Sequence, residues 1–508
     1  MSDTLSNNKR IAKNTLVLYI RMLFLMAIGL YTSRVILHAL GVEDFGVYNV
    51  VGGFVALFAI LSKSMSSAAT RFMNYEMGKG NQEKLDKVFS TILIIHVILV
   101  AIIAVLSEIV GVWFVNNKMV ISPDRLYAAN WVFQFSVLTF CFNLITVPYN
   151  AAIIAHEKMS AFAYISIFEG VGKLIIAYMV VISPMDKLIF YAILMFVMQF
   201  IVRLLYQMYC KRHFTECTFR FIIEKPLIKE IFGFATWNMI GTSSAILTNQ
   251  GGNILINLFG GPVVNAARAV ANQVLHAVDG FVHNFVIALK PQITKSYANG
   301  DKDYMMTLIY QGSRLSYYML LVLSLPIIIN TDFLLNIWLN EVPNHSVSFV
   351  QLTLIFALIE SISHPLVTAQ LATGKIRNYQ IIVGGLQMMN LPISYLLLLM
   401  GCIPETILLV AIVISILCLF ARLYMLRRMI GLKALVFIRK VLVNIFMVSI
   451  VAFSLPLYIK QLVDISWGTF LAITIISILY SSLSIMFVGC SRSERSLVIT
   501  KILKICKR

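Results

Sequence analysis

Charge is what this sequence has least of. Only 13% of its 508 residues are Asp, Glu, Lys or Arg, whereas 59% are hydrophobic and the mean hydropathy is +0.85. A water-soluble globule of this length cannot hide so much apolar surface, which excludes the soluble classes. Acidic residues are scarcer than basic ones, 23 against 41. The net charge of +18 does not point to nucleic acid, because the basic residues gather in some connections between apolar runs and avoid others. Cysteine is sparse and odd in number, at Cys141, Cys210, Cys217, Cys402, Cys418, Cys490 and Cys506. Those spacings make neither a metal-ligand set nor a disulfide framework. No His-Glu-x-x-His, P-loop or nucleophile elbow is found, and no cofactor is expected. No small-residue cleavage site follows the first apolar run, so that run is expected to be retained.

What is there is a series of apolar runs. About fourteen are long enough to cross a bilayer, at approximately 14–38, 45–67, 88–115, 126–153, 160–182, 186–209, 228–258, 263–289, 305–329, 347–371, 379–400, 404–426, 437–459 and 467–489. The expected fold is therefore an all-α, polytopic membrane protein. An even count places both termini on one side. If that side is the cytoplasm, roughly thirty Lys and Arg residues lie in cytoplasmic segments and about four outside, so both termini are read as cytoplasmic.

An internal repeat organises these runs. Pro148 to Lys158 aligns without a gap on Pro365 to Lys375, matching Pro148 with Pro365, Ala152 with Ala369, Ala155 with Ala372 and Lys158 with Lys375. A similar offset relates Leu40-Gly41 to Leu258 and Gly260, and the loop Gly80 to Lys84 to Gly300 to Asp303. The sequence thus predicts two six-helix lobes around a central cavity, 1–212 and 213–430, followed at 431–508 by two extra transmembrane helices and a basic tail.

The most informative run is Val263 to Lys290. At about 100° per residue, Asn265, Arg268, Asn272, His276, Asp279, His283 and Lys290 fall on one arc, and Val270, Val274, Val278, Phe281 and Phe285 on the other. Ionisable groups within a membrane usually face a bundle interior or an aqueous cavity, so this stripe reads as the wall of a polar path. Asn238, Thr242, Asn249 and Asn253 share a face of the preceding run, as cavity lining or as hydrogen-bonding glue between helices. Arg21 lies on one face of the first run with Asn14 and Thr32, facing inward or snorkelling to the interface, and Arg34 sits near the other end of that run. Lys63, Arg71, Lys173, Arg203 and Arg314 read mostly as interface anchors. Glu108, Glu169 and Glu360 are candidate proton sites or paired carboxylates. Arginine suits an anionic headgroup because its guanidinium holds phosphate oxygens in a bidentate fork. Asp279, the carboxylate on the stripe, is a candidate for a coupling proton or Na⁺ with His283, or a charge partner of Arg268.

The stretch Leu18 to Gly53, with Ser33-Arg34, Ala39-Leu40-Gly41 and Phe45-Gly46-Val47-Tyr48, resembles the polysaccharide-biosynthesis flippases of the multidrug/oligosaccharidyl-lipid/polysaccharide exporter superfamily. The resemblance implies alternating access in a bacterial inner membrane. A polyprenyl-pyrophosphate-linked oligosaccharide would be turned from the cytoplasmic to the periplasmic leaflet for O-antigen, capsule or other surface polysaccharide, without covalent chemistry. It carries headgroup binding to Arg21 and Arg268, and to Arg34. The glycan would then meet Asn249, Asn253, Asn272 and His276. Expected partners are the lipid-linked oligosaccharide, membrane lipids, a coupling proton or Na⁺ and polysaccharide-assembly proteins. Two alternatives stay open, a cation-coupled multidrug exporter of the same architecture and an integral membrane glycosyltransferase or polymerase. The latter needs a catalytic loop with paired carboxylates, and no such loop is visible.

Overall fold

The structure, a computed structural model, describes residues 2–56, 58–117, 119, 121–220, 224–339, 342–463, 466–491, 494 and 495. Among these there is no strand. The helices are α1 (Ser2–Ala56), α2 (Ala59–Lys79), α3 (Gln82–Leu106), α4 (Val112–Asn117), α5 (Leu126–Ala155), α6 (Met159–Ile182), α7 (Lys187–His213), α8 (Lys225–Ala298) and α9 (Lys302–Ile329). They continue with α10 (Thr331–Trp338), α11 (Ser346–Ser361), α12 (His364–Thr373), α13 (Arg377–Met388), α14 (Asn390–Leu399), α15 (Thr406–Ile430), α16 (Ala434–Phe437), α17 (Val443–Leu462) and α18 (Trp467–Ser484).

Among the described residues, ten helical stretches are long and apolar enough to cross a membrane, or eleven if the bent pair α11 and α12 makes one span. Length and composition over these residues do not confirm the expected count of fourteen. The difference lies in two places. The run 45–67 is shared between the ends of α1 and α2, with residue 57 outside the described residues. The runs 228–258 and 263–289 form α8, where the polar stripe dilutes the apolar surface.

The repeat reappears as backbone geometry. Both α1 and α8 are pairs of helices joined at a glycine, Gly41 with φ 79° and ψ 170°, and Gly261 with φ 74° and ψ −175°. That combination is open essentially to glycine alone. The break falls at Gly261, one residue beyond the Gly260 expected from sequence, because Gly261 is the residue that takes positive φ. Gly80 and Gly300 end the next helix of each half with φ 68° and 76°. After each glycine the following residue caps a new helix: Asn81 Oδ1 accepts from the Lys84 N–H, and Asp301 Oδ1 from the Tyr304 N–H. A third pair is Glu157 (φ 57°) after α5 and Gly374 (φ 74°) after α12, each preceding the matched lysine.

By internal contacts the chain forms two units. One comprises Met1–Thr242 with Thr294–Gly300, the other Ser243–Ile293 with Asp301–Arg508, so α8 passes from one to the other twice. In the first unit α5 packs on α7, and α1 on α6. The last turns of α8 lie close against α2: a Cβ on Gly78 would stand 2.7 Å from Ala298 Cβ and 2.9 Å from the Lys295 carbonyl oxygen. Glycine is needed there because backbone cannot yield. Glu157 tolerates its left-handed conformation, costly by about 1–2 kcal/mol for a residue with a side chain, because its neighbours hold it. Its buried carboxylate receives Arg10 Nε at 2.7 Å and Lys295 Nζ at 2.9 Å, and its carbonyl accepts from Asn14 Nδ2 at 3.2 Å. The arginine expected to anchor an interface at Arg71 is instead buried, stacked on Phe72 and Tyr75 and facing Glu230 at 3.8 Å. Outside the spans, Glu216 is packed against His156, whose Nε2 stands 2.5 Å from Oε1. Burial pushes the Glu216 carboxyl up, but the hydrogen bonds from His156, its own backbone and Gln82 hold it below the usual carboxylate range.

In the second unit α9 packs on α11, α17 and α18, and α15 on α11, α13 and α14. The two C-terminal helices thus rest on α9.

Candidate functional site

Each unit contains a polar cavity of its own. That of the second unit has a volume of about 300 Å³ and is walled by α8, α11, α13, α14 and α15. Its polar lining comes from Arg268 and Asn272 on the second part of α8, Thr248 on the first part, Glu360 on α11, and Asn390 and Ser415. Arg268 is 8% exposed and donates from Nε to Asn253 Oδ1 at 2.7 Å. The two residues lie on opposite sides of Gly261, so the contact brings the two parts of α8 side by side. Gly252 lies beside the guanidinium, where an added Cβ would reach ordinary contact distance, 3.4 Å, from Arg268 Nη2. The valine side of the stripe is packed, with Val274, Val278 and Phe285 buried.

The carboxylate of this cavity is engaged. Arg422 Nη2 donates to Glu360 Oε1 at 3.1 Å, and the Ser415 hydroxyl donates to Oε2 at 2.5 Å. Arg422 is itself buried and donates to the Tyr379 hydroxyl at 3.0 Å and to Ser363 Oγ at 2.9 Å. Glu360 is therefore a paired carboxylate, one of the two readings its position allowed. With Glu360 offset by Arg422, Arg268 leaves the cavity wall net positive, the polarity that recruits an anion. His364 stands within electrostatic reach of Asp279 and Glu360.

The first unit's cavity, about 410 Å³, is lined by Arg21, Thr32, Phe45, Ser166, Glu169 and Lys173 among others. The Arg21 guanidinium lies 4.2 Å from the centre of the Phe162 ring, and its Nε is buried without a hydrogen-bond partner among the described residues. Glu169 is paired with Lys173 at 2.6 Å, one helical turn away. A guanidinium held against a ring face by cation–π attraction does not spend its outer N–H groups on that contact.

The other expected residues divide. Asn253 joins Arg268, and Asn272 joins the same cavity. His276 and His283 are exposed and Asp279 is half-buried; none of the three lines the cavity of the second unit. Arg34 is exposed, and Glu108 accepts from Gln134 at 3.1 Å. The side chain of Asn249 lies outside the described residues. Asn238 and Thr242 belong to the first unit, where the Thr242 hydroxyl bonds back to the Asn238 carbonyl at 2.9 Å. Sequence reasoning passed over Arg422, His364 and the Arg10–Glu157–Lys295 cluster. Arg422 carried a signal, being an arginine inside one of the most apolar runs, Thr406–Ile430.

Long apolar helices with large hydrophobic side chains on their outer faces, broken at paired glycines and holding arginine-lined cavities, define an all-α, polytopic membrane protein. Among solved structures it is similar to an outward-facing multidrug resistance MATE family transporter of the MOP superfamily. The TM-score is 0.73 at 11% identity, over 84% of this chain and 96% of that one. It is similar also to MATE in complex with MaD3S (TM-score 0.71, 13% identity, 84% and 96% covered). A third is a MOP superfamily transporter from Pyrococcus furiosus Vc1 (DSM3638), described by a binding pocket of reverse polarity (TM-score 0.70, 10% identity, 83% and 96% covered). The comparison with curated proteins gives no match. The chain belongs to the polysaccharide biosynthesis protein family, which matches residues 11–297.

Proposed function

We propose that this protein is a flippase for a polyprenyl-pyrophosphate-linked oligosaccharide, working by alternating access in a bacterial inner membrane with both termini in the cytoplasm. The observation that carries the reading is the polarity of the second unit's cavity. Arg268 stands among neutral amides and hydroxyls while the lining carboxylate is offset by Arg422. Such a wall favours phosphate oxygens over a cationic drug. Asn272, Thr248 and Asn390 supply amides and a hydroxyl suited to a glycan, with Asn253 behind Arg268, and Arg21 in the first unit's cavity supplies a second guanidinium. Arg34, Asn249 and His276 complete the proposed substrate set. Membership of the polysaccharide biosynthesis family supports the substrate class.

A second reading, a cation-coupled multidrug exporter, draws support from Asp279 and His364, which stand close enough to interact and could hold a proton or Na⁺ with His283 nearby in sequence. Equilibrium competition separates the two. The purified full chain is expected to bind a fluorescent polyprenyl-pyrophosphate sugar and to release it to unlabelled polyprenyl pyrophosphate, not to ethidium. Displacement by ethidium alone would reverse the assignment.

A further inference from the structure

A third cavity, remote in sequence from the polar stripe, lies in the second unit where α9, the start of α17 and the chain after α18 meet. Its volume is about 400 Å³, and its charged lining is Arg314, Arg439, Lys440 and Glu494. Glu494 is already committed. Its Oε1 accepts from Arg314 Nη2 at 2.7 Å and from Gln311 Nε2 at 3.1 Å, and its Oε2 accepts from the Ser491 N–H at 2.8 Å. Arg314 also donates to the Gly489 carbonyl at 3.2 Å. Arg439 and Lys440 are exposed at the rim, carried on a π-helical turn, Ile438–Leu442, and have no ion-pair partner among the described residues. Residues 495–508 hold no Asp or Glu.

The cations sit over apolar surface. Asn444 Nδ2 donates to the Val488 carbonyl at 3.3 Å, which brings the start of α17 to the end of α18. From that end Val443, Phe446, Met447 and Ile450 on α17, and Phe487 beside α18, turn outward and exposed. In a bilayer these faces meet acyl chains, because no other helix covers them among the described residues. A basic cavity joined to an uncovered apolar helix pair has the two halves of a phospholipid: a phosphodiester for Arg439, Lys440 and Asn444, and tails along α17.

We propose that this cavity binds the headgroup of an anionic phospholipid of the surrounding bilayer, with Arg439 and Lys440 as its phosphate ligands. The site is separate from Arg21 and Arg268 and does not depend on what those residues carry. The acyl chains distinguish a lipid from a soluble phosphate, which shares the same ligand chemistry.

Native mass spectrometry and thermal unfolding of the full chain test it, with phosphatidylglycerol, phosphatidylcholine or inorganic phosphate added to detergent. Phosphatidylglycerol is expected to be retained and to raise the melting temperature, whereas phosphatidylcholine is not. Because each basic residue at a membrane surface adds to lipid affinity, the double variant Arg439→Gln/Lys440→Gln should bind it roughly tenfold or more weakly. Arg439→Lys, which keeps the charge, should hold most of the affinity. Both side chains are exposed and unpaired, so the variants should fold as the parent does. Equal retention of the two lipids, or full retention by the double variant, would overturn the proposal. Equal stabilisation by millimolar inorganic phosphate would assign the site to a soluble anion instead.

Discussion

Arg268→Ala should abolish lipid-linked oligosaccharide movement while leaving the protein folded. Loss of a buried charge that contacts an anionic ligand typically costs about 2–5 kcal/mol, a drop of roughly 30- to 4,000-fold in affinity. Arg268→Lys should recover only part of it, since an ammonium cannot reproduce the bidentate fork. Asn253→Ala separates positioning from binding. It removes the acceptor 2.7 Å from Arg268 Nε but keeps the charge, so transport should fall less than in Arg268→Ala. Rates are read in proteoliposomes, with size-exclusion profiles and melting temperatures as the check on folding. If Arg268→Ala transports at the wild-type rate, the cavity of the second unit does not hold the headgroup.

The second large effect is on stability. Arg422→Met removes the cation that faces Glu360, and breaking a buried pair from one side usually costs about 3–5 kcal/mol. Glu360 keeps 26% of its side-chain exposure against 3% for Arg422, so cavity water softens the penalty toward the lower end. The double variant Arg422→Met/Glu360→Met should recover much of the loss, because replacing both charges by apolar groups is often close to neutral. Recovery of stability without recovery of transport would separate the structural role of the pair from the polarity it lends to the cavity. A single Arg422→Met variant that melts with the wild type would show that the pair contributes nothing to the fold.

Much of the fold was legible because its determinants are local. Helical periodicity and apolar length are written residue by residue, and the glycine breaks recur at Gly41 and Gly261, and at Gly80 and Gly300, because no other residue takes those φ values freely. The span count was less legible. Hydropathy weighs composition, and α8 spends its length on a polar face that length alone does not penalise. The site shows the same division. Periodicity put Arg268 and Asn272 on one arc, and both line one cavity. It gives direction but not depth, so it could not distinguish buried Arg268 from exposed His276 and His283 on the same arc. Arg422 and Glu360, and Glu157 and Lys295, are far apart in the chain, and such pairings exist only once helices pack. The conformation of Glu157 was hidden for a further reason: its repeat mate is a glycine, and only the tertiary ion pairs make a glutamate acceptable there.

One transport measurement bears on the whole reading. Purified protein in proteoliposomes is supplied with fluorescent polyprenyl-pyrophosphate oligosaccharide in one leaflet, and its appearance in the other is followed by leaflet-selective quenching, in parallel with ethidium efflux under a proton or Na⁺ gradient. A flippase moves the lipid, loses that movement in Arg268→Ala, and does not accumulate ethidium. Gradient-driven ethidium export with a stationary lipid would contradict the reading and assign the same cavities to a drug exporter.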